Sequence, residues 1–228
     1  MNGRRDTTRQ RNATARPRRP GRRRRRERGY ALVALLALMT VLAISMMAVA
    51  PSIRQQSRRE LEKEAIARGE EVAEAIRKWI HYKGTPPTSM DDLVEGVSPP
   101  GLPKKIQLLR ASAARDPLTK DGTWRTVKPN DQELRDFVVA VTRYANSQTP
   151  PTNDRHPAMT TIAATLPREI RGLVNLDDEE DDVPCDDKAS DTSSGPFVGV
   201  ASRSRCASVI NYYGIGRHDK WVFTPFYR

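Results

Sequence analysis

The sequence is poor in the residues that carry most enzyme and metal chemistry. Its 228 residues include two cysteines and three histidines, and aromatic residues make up 6%. Two cysteines are too few for a disulfide scaffold, and neither they nor His81, His156 and His218 show the spacing of a zinc site. No serine lies in a nucleophile elbow, and no glycine loop resembles a phosphate cradle. The sequence therefore predicts no enzymatic activity.

An excess of positive charge is absent outside the first 29 residues. The formal net charge is +11, and residues 1–29 contain thirteen arginines against two acidic residues. The other 199 residues carry 26 basic and 26 acidic side chains. No aromatic residue interleaves with the arginines before Tyr30. The distribution excludes a uniformly basic nucleic-acid-binding domain, and it favours a topology signal over RNA or anionic-lipid binding by the arm.

Residues 30–50 form a predicted transmembrane helix. Ala31–Ala50 contains no charge, and Thr40 and Ser45 are its only polar residues. As a helix this run is about 30 Å long, which matches a hydrocarbon core. Because the arginines precede it, the positive-inside rule keeps residues 1–29 in the cytoplasm and exports the C-terminal part. A cleaved secretory signal is the rival, but Pro51 would be a poor first mature residue and the run exceeds the usual signal core.

Residues 51–82 are predicted to continue this helix as an amphipathic segment, so that one helix runs from about Tyr30 to Tyr82. Gly84 and the prolines after it end the helix. Within it, Gly69 costs about 1 kcal/mol relative to alanine. Apolar residues recur at mostly three- and four-residue steps and are expected to pack on a small domain. This stripe consists of Ile53, Leu61, Ala65, Val72, Ile76, Trp79 and Ile80.

The junction Arg28-Gly29-Tyr30, between a basic arm and an apolar helix, resembles a type IV prepilin-like leader. The resemblance implies that a prepilin peptidase cleaves after Gly29 and that the new N-terminus, Tyr30, is methylated. Pro51 stands where many pilins carry a helix-kinking proline. Ala34 departs from the family, which usually has Glu at the fifth mature position to pair with the N-terminus of a neighbouring subunit. Ala34 makes a plainer membrane anchor.

Residues 83–127 are predicted to form loops and a short helix. Ser89 and Asp92 give a capping-box-like helix start, and Asp116 and Asp121 are predicted turn formers rather than an acid/base pair. The Pro-Thr-Ser turn before this helix and the Asp116-Pro117 loop resemble the major-type pseudopilins of type II secretion. The resemblance implies a pilin-like α+β fold, in which the long N-terminal helix packs on a small antiparallel β-sheet.

The C-terminal half divides into two parts. Residues 128–194 are predicted to be a polar, acidic insertion, partly disordered, in which Phe137–Val141 is a candidate strand and Ala158–Leu173 is ambiguous. Residues 195–228 are predicted to form C-terminal antiparallel strands. The three strands expected there are Phe197–Ala201, Ser208–Tyr213 and Trp221–Phe223, with Gly214 and Gly216 marking a turn.

Calcium is the one cofactor that the sequence brings into question, because major pseudopilins carry a calcium site in their C-terminal loops. Asp177–Asp187 supplies carboxylates in no recognisable ligand spacing, so a solvated loop is the preferred interpretation and no cofactor is predicted. Cys185 and Cys206 are expected in an oxidising periplasm, where a disulfide would contribute roughly 3 kcal/mol. Two free thiols are the alternative.

These features predict a pilin-like structural subunit of a periplasmic pseudopilus that supports type II protein secretion. The subunit would cross the bacterial inner membrane once, with its C-terminal domain in the periplasm. Its partners would be other pilin-like subunits, the prepilin peptidase and an inner-membrane assembly platform. The alternative is an uncleaved, single-pass anchored periplasmic binding or interaction domain, and a nucleic-acid-binding protein ranks last.

Overall fold

The computed structural model describes most of the chain after the basic arm. For residues 27–29 and 47–54 the structure describes the helical backbone but not the side chains. The described residues are 27–99, 101, 104–146, 154–167, 185–186 and 195–227.

The described chain is an α+β protein whose longest element is an N-terminal helix of 57 residues. It divides into two compact units, Met1–Ala50 and Pro51–Arg228. A 3₁₀ turn, His218–Lys220, lies among the C-terminal strands. The helices and strands, in chain order, are α1 (Glu27–Lys83), α2 (Met90–Glu95), β1 (Arg125–Val127), α3 (Gln132–Tyr144), α4 (Pro157–Thr165), β2 (Gly199–Ala201), β3 (Ala207–Tyr212), β4 (Ile215–Arg217) and β5 (Val222–Phe223).

The second unit is built on the C-terminal part of α1, which forms one wall of the core. Ala65, Val72, Ile76 and Ile80 on this helix are completely buried. Their three- and four-residue spacing places them on one helical face. Full burial of a side chain such as Ile76 contributes about 1.5–3 kcal/mol. The amphipathic packing expected for this segment is therefore present.

The ends of α1 and α2 follow the predicted capping chemistry. α1 ends at Lys83, and Gly84 follows with φ +75°, a value that favours glycine. At the start of α2 the Ser89 hydroxyl accepts the Asp92 amide, and the Asp92 carboxylate accepts the Ser89 amide in return. The capping box read from the sequence is confirmed.

The main sheet has three antiparallel strands in the order β1–β2–β5. The prediction placed three C-terminal strands in one sheet and missed β1. In the structure Val127 pairs with Gly199 and Val200 pairs with Phe223, so β2 is the central strand. β1 has only three residues, too few to display a periodic pattern in the sequence.

The strand at Ser208–Tyr213 was predicted correctly as an element, but it lies outside the main sheet. β3 pairs with β4 in a separate two-stranded hairpin, which contains a register irregularity between Ala207 and Tyr212. The turn is Tyr213-Gly214, with φ +50° and +79°, the pattern of a type I′ hairpin. Gly216, predicted as a turn residue, lies within β4.

Part of residues 128–194 is helical and buried, and the strand predicted at Phe137–Val141 is wrong. This segment lies in α3, where four apolar residues at helical spacing are buried. α4 adds a second helix from the ambiguous region Ala158–Leu173. A five-residue apolar run fits either a strand or a helix face, and here the core contacts decide. The buried residues from this region are Leu134, Phe137, Val138, Val141, Met159 and Leu166.

Gly69 is a point of close approach between α1 and β5. A Cβ atom at this position would lie 2.3 Å from the Cγ and Cδ2 atoms of Phe223. Phe223 is completely buried and packs edge-on to Trp124, with ring centroids 5.8 Å apart. The glycine that weakens helix propensity therefore allows β5 to pack against α1.

Gly69→Ala should destabilise the second unit although alanine favours the helix. We expect the free energy of unfolding to fall by about 1–3 kcal/mol, because overpacking against Phe223 outweighs the helix-propensity gain. Urea unfolding of the full chain in mild detergent, followed by tryptophan fluorescence, measures this change. Adding Phe223→Leu should recover part of the loss, and a stabilised Gly69→Ala protein would contradict the packing described here.

Candidate functional site

The buried face of α1 contains one carboxylate among its apolar residues. Glu62 is 1% exposed, whereas its neighbour Leu61, which the sequence prediction placed in the stripe, is 47% exposed. Glu62 and Ala65 are three residues apart, so Glu62 continues the line of buried positions. The apolar stripe assigned at Leu61 is therefore wrong by one residue, and an ionisable group occupies the buried position.

Three donors from the C-terminal part of the chain converge on Glu62. The amide of Val209 donates to both carboxylate oxygens at 2.9 and 3.0 Å, and the amide of Ile210 donates at 2.8 Å. His218 Nε2 lies 3.0 Å from Glu62 Oε1. Both amides belong to β3, within its irregular stretch, so Glu62 binds backbone donors that the β3–β4 ladder leaves available. The carboxylate thereby fixes β3 against α1.

A chain of polar side chains continues from Glu62 into the interior. His218 Nδ1 lies 3.4 Å from the Ser204 hydroxyl, and the Ser204 amide donates to the Ser202 hydroxyl at 3.1 Å. Ser202 in turn donates to Asp116 Oδ2 at 2.7 Å. A proton on His218 Nε2 lets the ring donate to Glu62 while Nδ1 accepts from Ser204. All five side chains, which we call the buried polar chain, are then satisfied.

Asp116 is the other acidic end of the buried polar chain. It is 2% exposed, and its Oδ1 accepts the Leu118 amide at 2.9 Å, which closes the Asp-Pro turn. Burial raises the pKa of Asp116 above its ordinary value, while hydrogen bonds from Leu118 and Ser202 oppose this shift. The role of Asp116 as a turn former is confirmed, and its second oxygen adds a link to the 202–204 segment.

The order Ser204, His218, Glu62 matches the order of groups in a serine hydrolase relay. Each of these residues is at least 95% buried, so the Ser204 hydroxyl offers no surface to a substrate. The Ser204–His218 distance of 3.4 Å also exceeds a strong hydrogen bond. The buried polar chain connects α1, the Asp-Pro turn and the C-terminal strands, which is a structural role.

Cys185 and Cys206 form a disulfide beside the start of β3. A second connection runs parallel to it, since the Arg205 guanidinium donates to both oxygens of Asp186 at 2.6 Å. The Arg205 amide also donates to the Asp186 carbonyl at 2.8 Å. Residues 185–186 are thus fixed to residues 205–206 by one covalent and three hydrogen bonds.

The remaining histidines lie together at the C-terminal end of α1. His81 and His156 stack with ring centroids 4.4 Å apart, and His81 Nε2 lies 2.6 Å from Asp154 Oδ2. In the described part of the chain, no group of three or more His, Cys, Asp or Glu side chains is arranged to hold a metal ion. The acidic run Asp177–Asp182, on which the calcium question depends, lies outside the described residues.

The predicted processing residues lie in α1. Gly29 and Tyr30 belong to its first turn, and the Tyr30 side chain is 81% exposed. Pro51 lies within the helix at a position where only the backbone is described, so the kink remains a prediction. From Tyr30 to Met46 every side chain is exposed, and the run is almost entirely apolar.

Sequence reasoning missed Glu62, Ser204 and His218. Glu62 had a usable signal, because steps of three and four residues back from Ile76 through Val72, Gly69 and Ala65 reach position 62 rather than 61. For His218 the sequence holds no such signal, since its partner Glu62 is 156 residues away, and Ser204 joins the buried polar chain through its contacts with Ser202 and His218.

Over the residues that the structure describes, no helix has an apolar stretch long enough to cross a membrane. The predicted span Ala31–Ala50 continues beyond Met46 into positions whose side chains are not described. A scan against protein-family models and searches of curated proteins and of solved structures found no match to the chain.

Glu62→Ala should be strongly destabilising, because it leaves the donors of Val209, Ile210 and His218 buried without an acceptor. The free energy of unfolding is expected to fall by about 3–5 kcal/mol. Glu64→Ala is the matched control, since Glu64 is an exposed partner of Arg68 on the same helix and should cost less than about 1 kcal/mol. Equal losses in urea unfolding of the two variants would show that Glu62 does not hold β3.

Asp116→Asn should change the pH dependence of stability. Since the folded state raises the pKa of Asp116, wild-type stability falls as pH rises from the ordinary value of 3.8 through the raised value. Asparagine cannot titrate, so the difference in free energy of unfolding, variant minus wild type, should increase as pH rises across this window. Urea titrations at pH 4 to 7 give this difference, and a constant or falling value would refute the assignment.

Proposed function

We propose that this chain is a pilin-like structural subunit of a periplasmic pseudopilus that supports type II protein secretion. The observation that carries the proposal is the N-terminal part of α1. Its exposed apolar side chains from Tyr30 to Met46 form a helical surface that water does not solvate well. The charged arm precedes this surface, and the Arg28-Gly29-Tyr30 junction lies between the two.

The two polar residues of this segment support an apolar environment around it. The Thr40 hydroxyl donates to the Ala37 carbonyl at 2.8 Å, and the Ser45 hydroxyl donates to the Val41 carbonyl at 2.8 Å. Both hydroxyl protons are thus used within the helix. Such internal hydrogen bonding is what a helix requires in lipid or between apolar partner helices.

The disulfide supports an oxidising compartment for the C-terminal unit. Disulfides persist in the periplasm and are rare in the cytosol, and the basic arm would remain in the cytoplasm by the positive-inside rule. The proposed location is therefore the bacterial inner membrane, with Cys185 and Cys206 on the periplasmic side. This topology agrees with one membrane crossing between the arm and the second unit.

The proposed mechanism begins with cleavage after Gly29 by a prepilin peptidase. Cleavage would remove the whole net charge of +11 and leave a neutral chain beginning at Tyr30. An assembly platform in the inner membrane would then add the subunit to a filament, in which the apolar part of α1 packs against those of other subunits. The second unit would cover the filament surface. Growth of the filament would act as a piston or scaffold for protein export.

One residue favours the alternative function, an uncleaved single-pass anchor for a periplasmic interaction domain. Ala34 occupies the fifth position after Gly29 and offers no carboxylate to a neighbouring N-terminus. If the chain forms a filament, the order of its subunits would have to be set by packing of the apolar helices, without a carboxylate at position 34. Under the alternative, residues 1–29 stay attached, so the two functions differ at one peptide bond.

Mass spectrometry of the chain, expressed with a prepilin peptidase, tests the proposal at this bond. We expect a mature N-terminus at Tyr30, carrying a methyl group, and loss of processing in Gly29→Ala. Gly21→Ala is the matched control, because it alters a glycine within the arm and should be processed normally. An intact arm beginning at Met1, or a start at Pro51, would refute the filament proposal.

A further inference from the structure

We propose that the β3–β4 hairpin is a redox-coupled latch, in which Glu62 holds β3 on α1 and the Cys185–Cys206 disulfide holds the chain immediately before β3. The two attachments act on neighbouring residues, Cys206 in one case and Val209 and Ile210 in the other. Each should therefore strengthen the other. This inference does not depend on the proposed function.

The hairpin needs attachments because it is separate from the main sheet. In the described structure, β3 and β4 pair only with each other. β3 is held to α1 through the amides of Val209 and Ile210 on Glu62, and through the Tyr212 hydroxyl on Glu70. The side chains of β3 are half-buried or exposed, so these polar contacts to α1 add to a limited apolar burial.

The disulfide holds the same strand at its beginning. Cys206 immediately precedes β3, and its carbonyl accepts the His218 amide at 3.2 Å. The bidentate pair between Asp186 and Arg205 joins the residues next to the two cysteines independently of the covalent bond. These contacts define the position that the two sulfur atoms must reach.

His218 and Ser204 connect the two attachments. The Ser204 hydroxyl accepts the Cys206 amide at 3.5 Å and lies 3.4 Å from His218 Nδ1. His218 Nε2 is 3.0 Å from Glu62. Two side chains, those of Ser204 and His218, thus lie between Cys206 and the Glu62 carboxylate. The coupling between the disulfide and Glu62 is therefore local.

The covalent step is an exchange with a disulfide oxidant such as oxidised glutathione. One thiolate attacks the oxidant and releases one glutathione thiol, and the second cysteine attacks the mixed disulfide and releases another. Two protein thiols become one disulfide, and one oxidised glutathione becomes two reduced molecules. Docking of β3 on Glu62 raises the effective concentration of the Cys185 and Cys206 thiols for each other. By reciprocity the disulfide favours docking by the same factor.

Glutathione equilibration of the full chain in mild detergent measures this effective concentration. The disulfide fraction is determined by alkylation and mass spectrometry over a series of glutathione ratios. In Glu62→Gln the side-chain amide offers one acceptor oxygen, and its NH₂ group is itself a donor, so it cannot satisfy all three donors that bind Glu62. We expect the effective concentration of the two thiols for each other to fall at least about 10-fold. Glu60→Gln, at an exposed residue paired with Lys63, should stay within about twofold of wild type.

Hydrogen exchange on the unmodified sequence provides a second measurement that does not depend on whether Glu62→Gln folds. Reduction should increase amide exchange at Val209 and Ile210, whereas the amide of Ile76 in α1 should be unaffected. The Cys185→Ser/Cys206→Ser double variant should reproduce the reduced pattern. Unchanged exchange at Val209 and Ile210 on reduction, or an unchanged effective concentration in folded Glu62→Gln, would overturn the proposal.

Discussion

The carboxylate of Glu62 lies on the buried face of α1, where an ionised group is tolerated only if its partners are complete. Burial of an unpaired charge costs several kcal/mol, so this side chain restricts where β3 and His218 can be placed. Val209, Ile210 and His218 supply the donors at 2.8–3.0 Å. Apolar burial would accept many small shifts of β3 along α1, but hydrogen bonds to two consecutive amides accept one register.

Much of the second unit follows from this placement. Cys206, which forms the disulfide, immediately precedes the hairpin, and the hairpin carries Ile215 into the core, where the Ile215 carbonyl accepts the indole N–H of Trp221 at 3.0 Å. Along the same helix, Gly69 removes the side chain that would keep Phe223 away. One face of α1 therefore combines a polar contact that sets register with a close contact that sets distance. The long helix is a scaffold for the second unit as well as the carrier of the apolar N-terminal segment.

The sequence predicted the features that depend on local chemistry. The long helix, its end at Gly84, the Ser89–Asp92 capping box and the Asp116 turn each follow from the residues within one or two turns of chain. The sequence did not predict the features that are determined by contacts between residues far apart in the chain. Phe137–Val141 has an apolar pattern that both a strand and a helix satisfy, and only its position in the core selects the helix. β1 is stabilised by pairing with β2, more than 70 residues away, and Glu62 is paired with His218, 156 residues away.

Glu62 and His218 are expected to act as one buried unit that sets the position of the C-terminal hairpin. A double-mutant cycle with Glu62→Gln, His218→Gln and both together, measured by urea unfolding of the full chain in mild detergent, isolates their interaction. We predict a coupling free energy of about 1–3 kcal/mol between the two side chains, because the Glu62 carboxylate and the His218 ring are hydrogen-bonded to each other. Additivity of the two single changes to within about 0.5 kcal/mol would contradict it.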